Sequence, residues 1–232
     1  MAATLHTFAS GAELAEKLAT AVAEKLIAGI AARGAASLAV SGGSTPKAFF
    51  QALSRKALDW PKVTVTLVDE RFVPADNPRS NHLLVAGNLL QNEARQAVFL
   101  PLYQSAATAE EAAQLATTAT TAIKPPFDVA ILGMGNDGHT ASFFPAGSNL
   151  SLALDAATPR GIVTMEADGA GEPRLTFTFS SLQDARFLVL HIEGEAKKTV
   201  LAKAESDGEE QEMPIRAVLR RAATPVDIYW AP

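Results

Sequence analysis

Asp137 and His139 lie two residues apart, within or directly after a glycine-rich turn at 133–138 that ends the apolar run 127–133. Histidine is the usual side chain for proton transfer near neutral pH, and a neighbouring carboxylate orients the ring and favours its protonated form. The apolar run is typical of a strand buried on both faces, and open α/β sheets bind ligands at the carboxyl ends of their strands. We therefore predict a catalytic pair, with a hydrogen-bonded structural histidine as the alternative.

A second cluster of small and polar residues, Ser41-Gly-Gly-Ser-Thr-Pro46, also follows a short apolar run. Gly42 and Gly43 let backbone N–H groups approach an anion. The hydroxyls of Ser44 and Thr45 add donors, and a helix is predicted to begin directly afterwards. The pattern favours a phosphate site, although the spacing is not that of a Walker loop. An ordinary strand-to-helix turn is the alternative.

Positive charges follow two further predicted strands. Arg71 comes directly after a β-branched strand, and arginine suits bidentate binding of phosphate or carboxylate. A surface ion pair with Asp69 or Glu70 is the alternative. Lys197 and Lys198 open a predicted helix, where a cation opposes the helix dipole. That misfit indicates that at least one of the two lysines faces an anion, and two solvated lysines are the alternative.

Several other kinds of site are disfavoured. The turn at 133–138 matches G-x-G-x-x-G, but Pro145 comes too soon for the helix that a dinucleotide site needs, so we reject a nicotinamide cofactor. No G-x-S-x-G elbow occurs, and the histidines lack metalloprotease spacing. We expect structural roles for His6, His82 and His191. The sequence therefore predicts neither an organic cofactor nor a metal.

Strand and helix patterns alternate along the chain, which favours a mostly parallel sheet with helices on both faces. A glycine-rich link at 168–171 indicates a small antiparallel edge. We therefore predict a single-domain, Rossmann-like α/β fold, in which the polar clusters that follow strands share one edge of the sheet. Helices are predicted at 10–32, 47–58, 80–90, 108–123, 194–204 and 214–222, and strands at 37–40, 63–68, 98–100, 127–133, 162–165, 175–179, 187–190 and 226–230.

The bulk properties limit the partners. The chain has 232 residues, a formal net charge of −5, 48% apolar residues and no cysteine. We expect one domain over residues 1–232, because no linker divides the chain. The absence of a basic stripe argues against nucleic acid, and no apolar run is long enough for a membrane span. Without a visible signal peptide we expect a cytoplasmic protein, and a monomer because nothing demands an oligomer.

Three stretches together resemble the 6-phosphogluconolactonase family. They are Ser41-Gly-Gly-Ser-Thr-Pro46, Val68-Asp-Glu-Arg71 with Ser80-Asn81 downstream, and Gly133-Met-Gly-Asn-Asp-Gly-His-Thr-Ala-Ser-Phe-Phe-Pro145. Gly194-Glu-Ala-Lys197 and Met213-Pro-Ile-Arg216 resemble later motifs of the family more loosely. The resemblance therefore covers nearly the whole chain. Phe72 stands where the family commonly has tryptophan, which keeps an aromatic wall.

The resemblance implies hydrolysis of 6-phospho-D-glucono-1,5-lactone to 6-phospho-D-gluconate, in the oxidative pentose phosphate pathway and without a cofactor. It implies that His139 is the general base that activates water and that Asp137 holds the imidazole. It also implies a pocket for the phosphate of this small-molecule substrate. The residues assigned to that pocket are Gly42, Gly43, Ser44, Thr45, Arg71, Lys197 and Arg216.

Two alternatives of other classes stay open. Glucosamine-6-phosphate deaminase, an aldose–ketose isomerase, shares the fold, and its blocks resemble D-E-Y and D-G-H-I-A-F-N-E-P. This chain has Arg71 in place of that tyrosine and Phe144 in place of the glutamate used in ring opening. A non-catalytic sugar-phosphate sensor would usually add a DNA-binding segment, for which the chain has neither spare length nor a basic helix.

Overall fold

A computed structural model describes residues 3–232 of the chain. Within that range ten strands form two sheets, connected by eight α-helices and two short 3₁₀ helices. The strands are β1 Thr4–Thr7, β2 Ala36–Val40, β3 Val63–Leu67, β4 Asp69–Arg71, β5 Val98–Leu100, β6 Val129–Leu132, β7 Ile162–Met165, β8 Arg174–Phe177, β9 Phe187–Glu193 and β10 Val226–Ala231. The α-helices are α1 Gly11–Arg33, α2 Lys47–Ser54, α3 Asn81–Asn88, α4 Ala109–Thr120, α5 Leu150–Leu154, α6 Phe179–Leu182, α7 Glu195–Glu205 and α8 Ile215–Arg221. The 3₁₀ helices are Trp60–Lys62 and Asn92–Gln96.

The main sheet consists of seven parallel strands in the order β1-β10-β9-β6-β2-β3-β5. The chain runs from β2 outward to β3 and β5, returns to β6 beside β2, and then runs outward to β9 and β10 on the other side. Parallel crossovers are almost always right-handed, so this reversal puts helices on both faces of the sheet. The predicted fold class is confirmed. The strand order reverses between β2 and β6, which is where such sheets open a ligand crevice.

The antiparallel strands β7 and β8 form a separate sheet with β4, in the order β4-β8-β7. Val68 connects the two sheets through its backbone. Its N–H donates to the carbonyl of Val40 in the main sheet at 2.9 Å, and its own carbonyl accepts from the N–H of Phe177 at 3.0 Å. The strand predicted at 63–68 ends before Asp69. In the structure, residues 69–71 form a further strand, β4, which belongs to the second sheet.

Side-chain caps form at Ser10 and Thr108, where two of the predicted helices begin. The hydroxyl of Ser10 accepts from the N–H of Glu13 at 3.2 Å, and the hydroxyl of Thr108 accepts from the N–H of Glu111 at 3.2 Å. Such bonds satisfy N–H groups that have no partner inside the helix. Gly34 ends α1 with a φ of 79°, a conformation that glycine adopts without steric cost. Within residues 3–232, no helix combines the length and the apolar character needed to cross a membrane.

Candidate active site

A cavity of about 250 Å³ opens at the carboxyl edge of the main sheet. It lies at the predicted crevice, because the segments that follow β2 and β6 both line it. All four polar clusters that the sequence places after strands contribute to its wall. The lining residues include Gly42, Gly43, Ser44, Thr45, Asp69, Arg71, Asn81, His139, Arg174, His191 and Lys197.

The loop between β2 and α2 is fixed to the start of the turn after β6. The hydroxyl of Ser41 donates to the carbonyl of Ile131 at 3.0 Å and accepts from the N–H of Gly133 at 3.1 Å. A side chain at Gly42 would overlap the amide of Asn81, so only glycine allows this close approach. The loop therefore brings its backbone against the cavity at the start of α2, as a phosphate site requires.

Arg71 is held by neutral acceptors. Its Nη1 donates to the carbonyl of Arg79 at 2.6 Å and to Oδ1 of Asn81 at 2.8 Å. Within residues 3–232 it forms no ion pair with Asp69 or Glu70, the alternative that the sequence left open. The guanidinium charge therefore has no carboxylate partner in the cavity wall.

Glu70 fixes the start of α3 through hydrogen bonds. Its buried carboxylate accepts from the N–H groups of Asn81 and His82 at 2.8 Å each and from the hydroxyl of Ser80 at 3.0 Å. Burial raises the pKa of Glu70, and the hydrogen bonds from the backbone of Asn81, His82 and Arg71 oppose that rise. The side chain of Asn81, and with it the guanidinium of Arg71, is oriented by this network.

Arg174, at the start of β8, is a second arginine in the wall and was not predicted from sequence. It is 7% exposed, its Nη2 donates to the carbonyl of Ala170 at 2.6 Å, and its Nε is enclosed without a partner among residues 3–232. Burial lowers the pKa of Arg174, whereas the charge of Asp69 raises it. An arginine at the start of an otherwise apolar strand was the available signal.

His139 and Asp137 form the predicted pair. Nδ1 of His139 lies 2.6 Å from Oδ1 of Asp137, and the same oxygen accepts from the N–H of His139 at 3.1 Å. Because an ionised carboxylate only accepts, Nδ1 carries the hydrogen in the neutral ring and Nε2 keeps the lone pair that can accept a proton. Burial acts to raise the pKa of Asp137, but the hydrogen bonds and charge of His139 outweigh it, so the pKa lies below its usual value.

The turn around this pair is shaped by glycine. The N–H of Gly135 donates to the carbonyl of His139 at 2.8 Å, and Gly138 has a φ of 80°. A side chain at Gly135 would overlap the ring of His139. The ring of Phe144 packs against the same imidazole, with ring centroids 4.6 Å apart. The imidazole is therefore fixed on two sides and open to the cavity.

The two lysines at the start of α7 have different surroundings. Lys197 lines the cavity, whereas Nζ of Lys198 lies 3.9 Å from the centre of the Trp230 ring. Burial lowers the pKa of Lys197, and the charge of Asp137 raises it. Lys197 is therefore the lysine of the predicted pair that reaches the site.

Arg216 is the one predicted phosphate ligand that does not line the cavity. It is 3% exposed, and its guanidinium donates to the backbone carbonyls of Glu209 at 3.0 Å and of Lys203 and Asp207 at 3.2 Å each. Nη1 and Nη2 thus hold the acidic segment 205–212 against α8, while Nε is buried without a partner among residues 3–232. The assignment of Arg216 to the phosphate pocket is therefore corrected to a structural role.

Three other wall residues were missed as site residues. Asp69 is 7% exposed and accepts from the hydroxyl of Ser142 at 2.6 Å. Asn81 was quoted only as part of a motif, and His191 was expected to be structural. Their side chains converge on the cavity only because β4 and α3 begin near the place where β9 ends, which no local pattern reveals. Within residues 3–232, no three His, Asp or Glu side chains group as a metal site requires.

Fold and cavity together define a doubly wound α/β protein whose topological switch point carries a cavity lined by cationic side chains. The sequence model described as glucosamine-6-phosphate isomerases/6-phosphogluconolactonase matches residues 9–230, and the chain belongs to this family.

Named relatives cover its whole length. A 6-phosphogluconolactonase of Rhizobium meliloti (strain 1021) is 67% identical over 232 residues, 100% of both chains. One from Mesorhizobium japonicum is 52% identical over 227 residues, 98% of this chain and 94% of the relative. The crystal structure of a 6-phosphogluconolactonase from Shewanella baltica superposes with a TM-score of 0.95 at 42% identity and covers 99% of this chain and 98% of that one.

Proposed function

We propose that this chain hydrolyses 6-phospho-D-glucono-1,5-lactone to 6-phospho-D-gluconate. The observation that carries the proposal is full-length similarity, at 67% identity, to a protein named 6-phosphogluconolactonase. The cavity supports it independently, because it combines an anion-binding loop with a histidine whose ring nitrogen can accept a proton.

The phosphate end of the substrate is bound by the loop after β2 and by three cations. Backbone N–H groups at Gly42 and Gly43 and the hydroxyls of Ser44 and Thr45 donate to phosphate oxygens. The charge of the phosphate is neutralised by Arg71, Arg174 and Lys197. Arg71 is available because its other partners are neutral, and Arg174 because it lines the cavity.

His139 performs the proton transfers. Its Nε2 takes a proton from water as the water oxygen attacks the lactone carbonyl. The resulting tetrahedral intermediate collapses by breaking the bond to the ring oxygen, and the protonated imidazole returns the proton to that oxygen. Asp137 keeps Nδ1 as the donor and stabilises the imidazolium that forms between the two steps. The proton taken and the proton returned balance, so neither a metal nor an organic cofactor is needed for them.

The deaminase alternative is disfavoured by the setting of Phe144. That position would have to carry a carboxylate for ring opening, whereas here an aromatic ring packs against His139 and lies 5.5 Å from the guanidinium of Arg174. Arg71 likewise replaces the tyrosine of the deaminase block. Both side chains favour lactone hydrolysis over aldose–ketose isomerisation.

The test is a rate measurement with freshly prepared lactone. Purified full-length protein is added, and formation of 6-phosphogluconate is followed against a protein-free blank, since the lactone also opens by itself. We expect clear acceleration over the blank. Binding of 6-phosphogluconate without acceleration would replace this proposal with the sensor alternative, and release of ammonia from glucosamine 6-phosphate would replace it with the deaminase.

We also propose that residues 1–232 form one domain that acts as a cytoplasmic monomer, without nucleic-acid partners. Pairing of β1 with β10 supports a single domain, because it ties the two ends of the chain into one sheet. Light scattering coupled to gel filtration tests the oligomeric state, and a mass of twice the 24.3 kDa chain would contradict the monomer.

A further inference from the structure

His191 lies in the wall of the cavity but has no part in the mechanism above. It is on β9, two residues before the end of that strand, and is 2% exposed. Its Nε2 lies 3.0 Å from Oε1 of Glu193, two residues further along the same strand. A buried histidine that lines a ligand cavity and is paired with a carboxylate is placed to do more than fill space.

The hydrogen bond to Glu193 determines which ring nitrogen is free. Because the ionised carboxylate only accepts, Nε2 carries a hydrogen, and Nδ1 is left as the second site. Among residues 3–232, nothing bonds Nδ1 of His191. Nδ1 of His82 is enclosed without a partner, whereas Nδ1 of His191 is not fully enclosed, and His191 lines the cavity.

The surroundings hold the ring in this orientation. Phe49 of α2 meets it edge-on, with ring centroids 6.0 Å apart, and lies one helical turn from the loop that we assign to the phosphate. The other carboxylate oxygen of Glu193 faces the start of α1, since a side chain atom placed at Gly11 would come within 2.7 Å of it.

We propose that His191 binds the phosphoryl group of the substrate through Nδ1, with Glu193 as its positioning residue. The inference rests on the proposed function and adds a binding residue to it. A phosphate ester and an imidazole both titrate close to neutral pH, so they share one proton. The protonated ring donates to a phosphate dianion, and the neutral ring accepts from the P–OH of the monoanion. His191 thereby distinguishes a phosphorylated lactone from one that carries a free hydroxyl.

The groups that influence this proton come from several elements. Glu193 lies on β9 itself, Tyr229 is the registered neighbour on β10, and Lys197 comes from α7. Across the cavity the ionisable residues of the wall are Asp69, Arg71, His139 and Arg174. The three cations of the wall attract the negative charge of the phosphate.

Two substitutions separate the two ring nitrogens. His191→Gln keeps an amide within reach of Glu193 and has nothing at the position of Nδ1, whereas His191→Asn keeps an amide near Nδ1 and loses Glu193. We expect His191→Gln to raise KM for the phosphorylated lactone about 10-fold, the scale of a hydrogen bond to a charged group, with a smaller fall in kcat. His191→Asn recovers part of that loss. With glucono-1,5-lactone, which lacks the phosphate, His191→Gln has a much smaller effect.

The matched control is His6→Gln. His6 also pairs with a carboxylate, Asp227, at 2.7 Å, but it lies on β1 and does not line the cavity. The kinetic constants of this variant stay at those of the parent. A KM for His191→Gln within about twofold of the parent would overturn the proposal, because even a neutral hydrogen bond is worth more than that. An equal loss with both lactones would also overturn it.

A second measurement works with the parent protein alone. The imidazole nitrogens of the four histidines are followed by NMR while inorganic phosphate is added. We expect the His191 signals to move, with His6 and His82 as internal references that stay in place. An unmoved His191, at phosphate concentrations that inhibit or bind, refutes the contact. Should the parent fail to accelerate lactone hydrolysis, the proposed function is lost, and this titration still tests His191.

Discussion

The molecule contains two histidine–carboxylate pairs at one cavity, and they differ in their access to water. His139 and Asp137 lie in a turn with 32% and 50% of their side chains exposed, whereas His191 and Glu193 lie on a strand with 2% and 31% exposed. The separation of two residues is the same in both pairs, but the bonded nitrogen is Nδ1 in the first and Nε2 in the second.

The difference explains why only one pair suits hydrolysis. A general base has to meet a water molecule and the carbonyl that the water attacks, so its free nitrogen must face solvent-accessible space. The imidazole of His139 meets that condition. A ring enclosed by a strand, a helix and an aromatic neighbour, as His191 is, instead provides one fixed hydrogen-bonding position. A spacing of two residues therefore predicts that each histidine pairs with its carboxylate. It does not predict which ring nitrogen is bonded or what chemistry the pair performs.

The two pairs are expected to differ most in their kinetic effects when each imidazole ring is removed. His139→Asn lowers kcat by about 10²-fold or more, the scale of a positioned acid–base group. His191→Asn has its main effect on KM. Steady-state kinetics of both variants beside the parent check this. Activity that survives His139→Asn would remove that residue as the base while leaving the function in place.

A smaller effect is expected from a methyl group inserted beside the catalytic pair. An alanine at Gly135 overlaps Nδ1 of His139 and Oδ1 of Asp137, so the ring and its partner must separate. We expect kcat to fall about 10- to 100-fold, the scale known for carboxylates that orient histidine at metal sites. Stopped or steady-state assays at saturating substrate measure it. A parent-like kcat would show that the orientation by Asp137 is unimportant.

The matching insertion beside the buried pair is Gly11→Ala. The added methyl comes within 2.7 Å of Oε2 of Glu193, which is the far end of a flexible side chain and can move. We expect KM to rise about threefold, as for one weakened hydrogen bond, and kcat to stay at the parental value. A fall in kcat as large as that of Gly135→Ala would abolish the distinction between the two pairs.

The smallest expected effect tests whether the two ends of the cavity are electrically independent. The charge of Asp137 raises the pKa of Lys197, which burial holds below its ordinary value. Asp137→Asn therefore lowers the pKa of Lys197 further. As the pH is raised, binding of 6-phosphogluconate to this variant weakens at a lower pH than binding to the parent. Competitive inhibition measured from pH 7 to 10 detects the shift. Lys197→Gln, which cannot titrate, serves as the control and should lack this alkaline change.

Local chemistry made much of the fold predictable. Ser10 and Thr108 mark helix starts because their hydroxyls satisfy N–H groups within three residues, and that interaction is written in a short window of sequence. β1 escaped prediction because its residues are largely exposed and without alternation, and only pairing with β10 makes them a strand. A strand of this kind depends on a partner more than 200 residues away.

The site divides in the same way. Asp137, His139 and the loop after β2 were predictable because each lies in a turn directly after a strand. Arg174 begins a strand and His191 lies within one, and an isolated polar residue in a strand marks a position without showing what its side chain faces. Arg216 was misplaced because a motif gives the position of a residue in the chain, whereas the guanidinium follows the nearest free carbonyls, here those of the segment 205–212.

Val68 has a mechanical consequence. Its two backbone bonds belong to different sheets, one to Val40 and one to Phe177. The loop that we assign to the phosphate extends from the first sheet, and Arg71 and Arg174 belong to the second. The peptide backbone at Val68 therefore sets the distance between this loop and the two arginines. The size of the group that fits between them is thus fixed by the main chain rather than by side chains.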